Sequence, residues 1–194
     1  MRSWQCAWTF IAAVVMGAGF TAARADERVA LASDNTVDNL IAAYTRAAGL
    51  KPLKLRDGDQ VRIWFDEPMA GSVTGYIVIK GQAKRCKLTT ESDFEDKGEN
   101  SRNDLIVHPG NCESRPEEDS RIEDAMRHLP EALEFNGQEF GCGFEDGWVA
   151  RVEGVIGGQR FSFNADNTGG CKDEKIRRVD EWLTAVVGAY GKRD

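Results

Sequence analysis

General acid–base chemistry near neutral pH calls for a histidine or a tuned carboxylate, and the chain offers only two histidines, His108 and His128. His108 ends an apolar run just before Pro109-Gly110. His128 stands four residues after Asp124, a spacing that on a helix gives an exposed ion pair. Neither has a partner at motif spacing: His-Glu-x-x-His, Gly-x-Ser-x-Gly and Gly-x-x-x-x-Gly-Lys do not occur. A hydrolase would have to bring His108 or His128 to a carboxylate through the fold alone. Two stretches begin like calcium loops. Asn164-Ala-Asp-Asn-Thr-Gly169 has Lys175 at the twelfth position, where a bidentate glutamate is required, and Asp93-Phe-Glu-Asp-Lys-Gly98 puts Lys97 at a ligand position. Neither completes an EF-hand, so no metal and no cofactor is expected.

Cysteines and carboxylates carry more information. Residues 1–25 combine Arg2, an apolar run from Ala7 to Phe20 and the small-residue site Ala23-Arg-Ala25, the pattern of a secretory signal peptide rather than a membrane span. Cleavage near Ala25 removes Cys6 and leaves residues 26–194, a length suited to one domain, in the periplasm or outside the cell. Four cysteines remain, Cys86, Cys112, Cys142 and Cys171, and an even number in an exported chain predicts two disulfides. No Cys-x-x-Cys is present, which disfavours a thioredoxin-like or zinc site. Of the three connectivities, Cys86 with Cys112 and Cys142 with Cys171 is preferred. A hairpin turning at Gly157-Gly158 sets Cys171 across from Phe144, close to Cys142, with a bulge near Gly141 or Gly143 making up the difference.

Without Arg2 and Arg24, 23 basic residues stand against 32 acidic ones, a formal charge of −9. Nucleic acid and anionic membrane want clustered Lys and Arg, so neither is an expected partner. The acidity concentrates in two connections, residues 91–104 and 113–124. Both are read as exposed loops flanking a short strand, Asp104 to His108, that stops at Pro109-Gly110. With Cys86 joined to Cys112 they present charge in one region, and Glu95, Asp96, Glu117 and Glu118 are the expected contacts to a basic envelope or foreign protein.

The elements that position these groups follow from periodicity. The clearest runs from Trp148 to Phe163, where Gly157-Gly158 fits a two-residue turn, pairing Ile156 with Gln159, Gly154 with Phe161 and Val152 with Phe163. One face then carries Trp148, Ala150, Val152, Ile156, Phe161 and Phe163, and the other, expected to be wet, carries Arg151, Glu153, Arg160, Ser162 and Asn164. Gly154 leaves room for the Phe161 ring. A helix from about 173 to 189, capped by Asp173, lays Ile176, Val179, Leu183, Val186, Val187 and Tyr190 over the apolar face. Upstream, Val37, Leu40, Ile41, Tyr44 and Ala48 give a helix closed by Gly49 and Pro52; Val61–Phe65 and Val73–Ile79 give a second hairpin; Cys86–Thr90 adds a strand. Ser120-x-x-Glu123 has capping-box spacing for a middle helix that Pro130 ends.

The segment from residue 121 to 190, with Asp146-Gly-Trp148, Val152-Glu-Gly-Val155, Gly157-Gly-Gln-Arg-Phe161 and Val179 with Trp182-Leu183, resembles small exported bacterial domains of unassigned function. The resemblance implies the hairpin-and-helix layout and no activity. The expected fold is a single two-layer α+β domain, residues 26–194, with an antiparallel sheet built from two β-hairpins, amphipathic helices on one face and two disulfides. The expected function is a non-enzymatic periplasmic binding protein, inhibitor- or immunity-like toward a basic protein. The alternatives are the hydrolase described above and a structural envelope protein.

Overall fold

The structure is a computed structural model and describes residues 25–31, 36–79, 82–95, 102–115, 120–142 and 147–188; residues 1–24 and Tyr190 lie outside the described residues. In chain order its elements are β1 (Glu27–Ala30), α1 (Thr36–Ala47), β2 (Gln60–Glu67), β3 (Ser72–Ile79), β4 (Gln82–Glu95), β5 (Arg102–Arg115), α2 (Ser120–His128), β6 (Glu139–Gly141), β7 (Val149–Ile156), β8 (Gln159–Asp166) and α3 (Glu174–Val187). The strands form one eight-stranded sheet in the order β1-β5-β4-β3-β2-β7-β8-β6. The ladders are antiparallel except β6 with β8, which run parallel at one edge.

The C-terminal hairpin has the register its turn dictates: Ile156 opposes Gln159, Gly154 opposes Phe161 and Val152 opposes Phe163. Gly157 and Gly158 take φ of 56° and 76°, left-handed values that a side chain would resist. A Cβ on Gly154 would strike the Phe161 ring and the Gln60 carbonyl, so the strand is glycine there to admit the ring. The Asp173 carboxylate accepts from the backbone N–H groups of Lys175 and Ile176 and starts α3. Helix α3 and α2 then cover the apolar face, where Phe135, Phe163 and Trp182 meet edge to face. The Trp182 indole N–H donates to the His128 carbonyl at 2.9 Å and ties α3 to the end of α2.

The expected pair of layers becomes three, because α1 lies on the opposite face. Strand β2 is buried on both sides: Val61, Ile63 and Phe65 join the core under α2 and α3, while Trp64 joins a second core with Leu40, Tyr44, Val107 and Leu88 under α1. The sheet is also more than two hairpins. Strand β1, in a stretch for which no element was expected, pairs with β5, and β6, likewise unassigned, closes the far edge beside β8. These pairings are long-range, and no local period announces them.

The acidic stretch read as a loop from Glu91 is strand as far as Glu95, and Pro109-Gly110, read as a stop, lies inside β5. Leu88 opposes both Pro109 and Gly110, which makes the pair a bulge. Proline lacks the N–H a ladder needs and is tolerated at such a bulge, and a Cβ on Gly110 would meet the Lys87 carbonyl. Cys86 and Cys112 face each other directly across β4 and β5, Cα atoms 4.0 Å apart, and are disulfide-bonded. The Cys142–Cys171 bridge is present too, with Cα atoms 5.9 Å apart. Its geometry differs from the extended hairpin expected: Cys142 follows β6, which reaches Cys171 by running parallel to β8.

Candidate functional site

Glu95 is the last residue of β4, its backbone opposite Arg102; Asp96, Glu117 and Glu118 lie outside the described residues, as does Pro116 with the rest of that connection. What the structure does place is the β4–β5 ribbon, an arm between the two acidic connections. One connection leaves it at Glu95 and Arg102, the other at Arg115, opposite Ala83 and at the far end, so the Cys86–Cys112 bridge does not bring their attachment points into one region as expected. Strand β4 runs on past the end of β3 as a ribbon with β5, anchored below by the Cys86–Cys112 bridge and flanked by β1.

Strand alternation gives the arm two unlike faces. On one, Arg28 lies against Asp93 and Asp104, and His108 lies beside Glu91 and Asp26. Asp93 and Asp104 are direct cross-strand partners, an arrangement that like charge disfavours. The Arg28 guanidinium resolves it by donating to Asp93 at 2.6 Å and to Asp104 at 3.1 Å. Both carboxylates, Asp104 first, hold its pKa above the ordinary arginine value. On the other face Thr90 and Ser92 lead out to Phe94, which is 64 % exposed.

His108 Nδ1 lies 3.0 Å from Asp26 and its Nε2 3.7 Å from Glu91, on the solvated face of the arm. His128 Nδ1 lies 3.1 Å from Glu131 rather than beside Asp124, which pairs with Arg127. Each histidine thus has a carboxylate neighbour, but neither lines the cavities described below.

Sequence reasoning missed a second polar grouping, under α1. The face of the β7–β8 hairpin expected to be wet is partly roofed by that helix, so Arg151 and Glu153 are sheltered beside Arg62 and Asp66 of β2. Arg62 is itself buried and donates to the Lys51 carbonyl at 2.6 Å, to Glu153 at 3.4 Å and to Thr45 at 3.5 Å. Burial lowers the pKa of Arg62 and raises that of Glu153, the charge of each opposing the shift in the other. At the other end the Tyr44 hydroxyl donates to Asp66 at 2.6 Å, and Arg151 Nη2 stands 3.8 Å from the same oxygen. Asp66 is only 5 % exposed; burial raises its pKa against the pull of the Tyr44 hydrogen bond and the Arg151 charge. Burial and the Asp66 charge push the Tyr44 phenol far above its ordinary range. The signal was present in the sequence, since Arg62 and Asp66 interrupt an otherwise apolar strand on one face, but a solvated face explained them equally well.

Two cavities open on this row. One of about 340 Å³ lies between α1 and the hairpin, beside Glu153 and Arg160. The other, about 530 Å³, has Asp66 and Arg151 among its walls. A third, of about 360 Å³, lies on the far side of Met69 against Trp148. Among the described residues no group of three or more His, Cys, Asp or Glu is placed to hold a metal ion, and no helix is long and apolar enough to cross a membrane. No protein-family model matches the chain, and no curated protein matches it either.

Proposed function

We propose that the chain is an exported, non-enzymatic binding protein that engages a basic protein through the β4–β5 arm, as an inhibitor or immunity factor does. The observation that carries this reading is Phe94: a large apolar ring, 64 % exposed, at the end of a disulfide-anchored ribbon whose other face gathers carboxylates. Exposed aromatic rings bordered by charge suit the centre and rim of a protein interface. The carboxylates steer a cationic partner over about a Debye length, roughly 8 Å at physiological salt, and Phe94 then supplies apolar burial.

The test compares wild-type chain, Phe94→Ala, and a variant with Glu95 and Asp96, next to Phe94 in the chain, reversed to lysine, first in capture from envelope extract and then in kinetics with each recovered partner. The reversed variant is expected to associate about tenfold or more slowly at low salt, the gap closing as salt rises. Phe94→Ala is expected to speed dissociation while leaving association little changed. Association of the reversed variant at the wild-type rate in low salt, with every recovered partner, rejects the reading.

A further inference from the structure

The cavity of about 530 Å³ beneath α1 falls in the range of small-molecule sites, roughly 300–1,000 Å³, and its floor is chemically unusual. Asp66 and Arg151 reach it from adjacent strands, β2 and β7, with opposite charges. They do not satisfy one another: the 3.8 Å between Asp66 Oδ2 and Arg151 Nη2 is beyond hydrogen-bond reach, and Tyr44 rather than arginine donates to that oxygen. Arg151 Nε is buried with no acceptor. So are Arg62 Nε and Trp64 Nε1 in the same row beneath α1. A buried donor left unpaired forfeits its hydration without return, which argues that this layer tolerates an excess of donors for a reason other than stability.

The walls above that floor are mostly apolar, with Thr90 and Ser92 of β4 on one side. Leu31, just after β1, Leu40 of α1 and Leu105 of β5 line the cavity, and Met69, 85 % exposed, stands at its rim with a flexible thioether side chain that adapts to different shapes. A ligand with only an anionic head would meet Asp66, and one with only a cationic head would meet Arg151. A ligand carrying both charges on neighbouring atoms meets a complement for each and brings no net charge into the site. We infer that this cavity is a binding site for a small zwitterion with an apolar tail, of the α-amino acid type, its carboxylate on Arg151, its ammonium on Asp66 and its side chain among Leu31, Leu40 and Leu105. The inference does not rest on the arm's partner: the charged floor belongs to β2 and β7, and the arm contributes only wall residues, Thr90, Ser92 and Leu105.

Isothermal titration of the disulfide-intact protein at pH 7 tests it with leucine and phenylalanine, each against two truncated analogues. For leucine these are 3-methylbutylamine, which lacks the carboxylate, and 4-methylpentanoate, which lacks the ammonium. The amino acids should bind, and each truncated analogue should bind at least about 30-fold more weakly, since it leaves one buried charge unpaired. Arg151→Gln and Asp66→Asn should each weaken the amino acids by a similar factor. Because those two variants alter buried groups and could compromise folding, Ser92→Trp provides an independent check: it fills the cavity from an exposed wall position, and should abolish binding with the melting temperature unchanged. The inference is overturned if neither amino acid binds, if either truncated analogue binds as tightly as its parent, or if Ser92→Trp binds like wild type.

Discussion

Taking Asp66 out of water costs more than its hydrogen bond from Tyr44 returns, and the upward shift of its acid records the balance. A carboxyl whose folded pKa exceeds the unfolded value of about 3.9 binds its proton more tightly in the folded chain. Its stabilising effect is therefore full below the unfolded pKa and is lost as pH rises through the folded one; Glu153, raised by burial as well, acts in the same direction. Asp66→Asn removes this dependence. In urea melts the variant should compare more favourably with wild type at pH 7 than at pH 4, and a difference independent of pH would mean that Asp66 titrates alike in both states. A second residue-level expectation concerns the register: Phe161, 1 % exposed, should cost about 3–5 kcal/mol when cut to alanine, whereas exposed Ser162→Ala should stay within about 0.5 kcal/mol. Equal losses would contradict the alternation on β8. The two cases also mark what could be read in advance. Phe161 was legible because a two-residue turn fixes its partner and face locally. The burial of Asp66 was not, because it depends on α1 crossing the sheet from elsewhere in the chain.

Among the elements, the β4–β5 arm shows how a charge pattern can mislead. Residues 91–95 hold little that is apolar apart from Phe94, which reads as a loop, yet they are strand because β5 supplies a continuous ladder and β1 supplies Arg28 to the Asp93–Asp104 pair. Loss of that guanidinium should leave two opposed carboxylates with nothing between them. Arg28→Ala is expected to speed amide hydrogen exchange in residues 91–95 and 102–106 without changing it in β7 and β8, and Asp93→Asn added to it should restore much of the protection. If exchange in the arm is unaffected by Arg28→Ala, the cross-strand repulsion is being relieved by solvent alone. Pro109-Gly110 misled for a related reason. Their composition marks an interruption of the ladder, which is correct, but an interruption by a bulge and by a chain reversal look alike until the residues beyond Cys112 are seen to pair with Ala83 to Arg85. Helices α1 and α3 were the more readable elements, each with an apolar stripe at helical spacing; which face of the sheet each stripe would cover was not written in either.

At the scale of the whole molecule, the sheet is two local meanders joined edge to edge. Strands β5, β4, β3 and β2 follow one another by hairpins, β7 and β8 do likewise, and the seam between the groups is the β2–β7 ladder, where Gln60 pairs with Val155 and Asp66 with Val149. Pairings so distant in sequence have no local signature, which is why the hairpins could be read and their union could not. The seam is also where each group needs the other: Val61, Ile63 and Phe65 of the first are roofed by α2 and α3 of the second. Both disulfides stay within a group, Cys86–Cys112 on one side and Cys142–Cys171 on the other. The backbone between Arg115 and Ser120 is thus the single covalent thread from one group to the next. This makes the chain a natural split reporter. Polypeptides ending at Arg115 and starting at Ser120 should each be poorly soluble alone, with an apolar face uncovered, and should recover the far-ultraviolet spectrum of the intact chain when refolded together. A protease cut in the thread should leave a species that runs as one in native gels and as two in denaturing gels without reductant, so the same cut that leaves the fold standing would convert its stability into a concentration-dependent affinity.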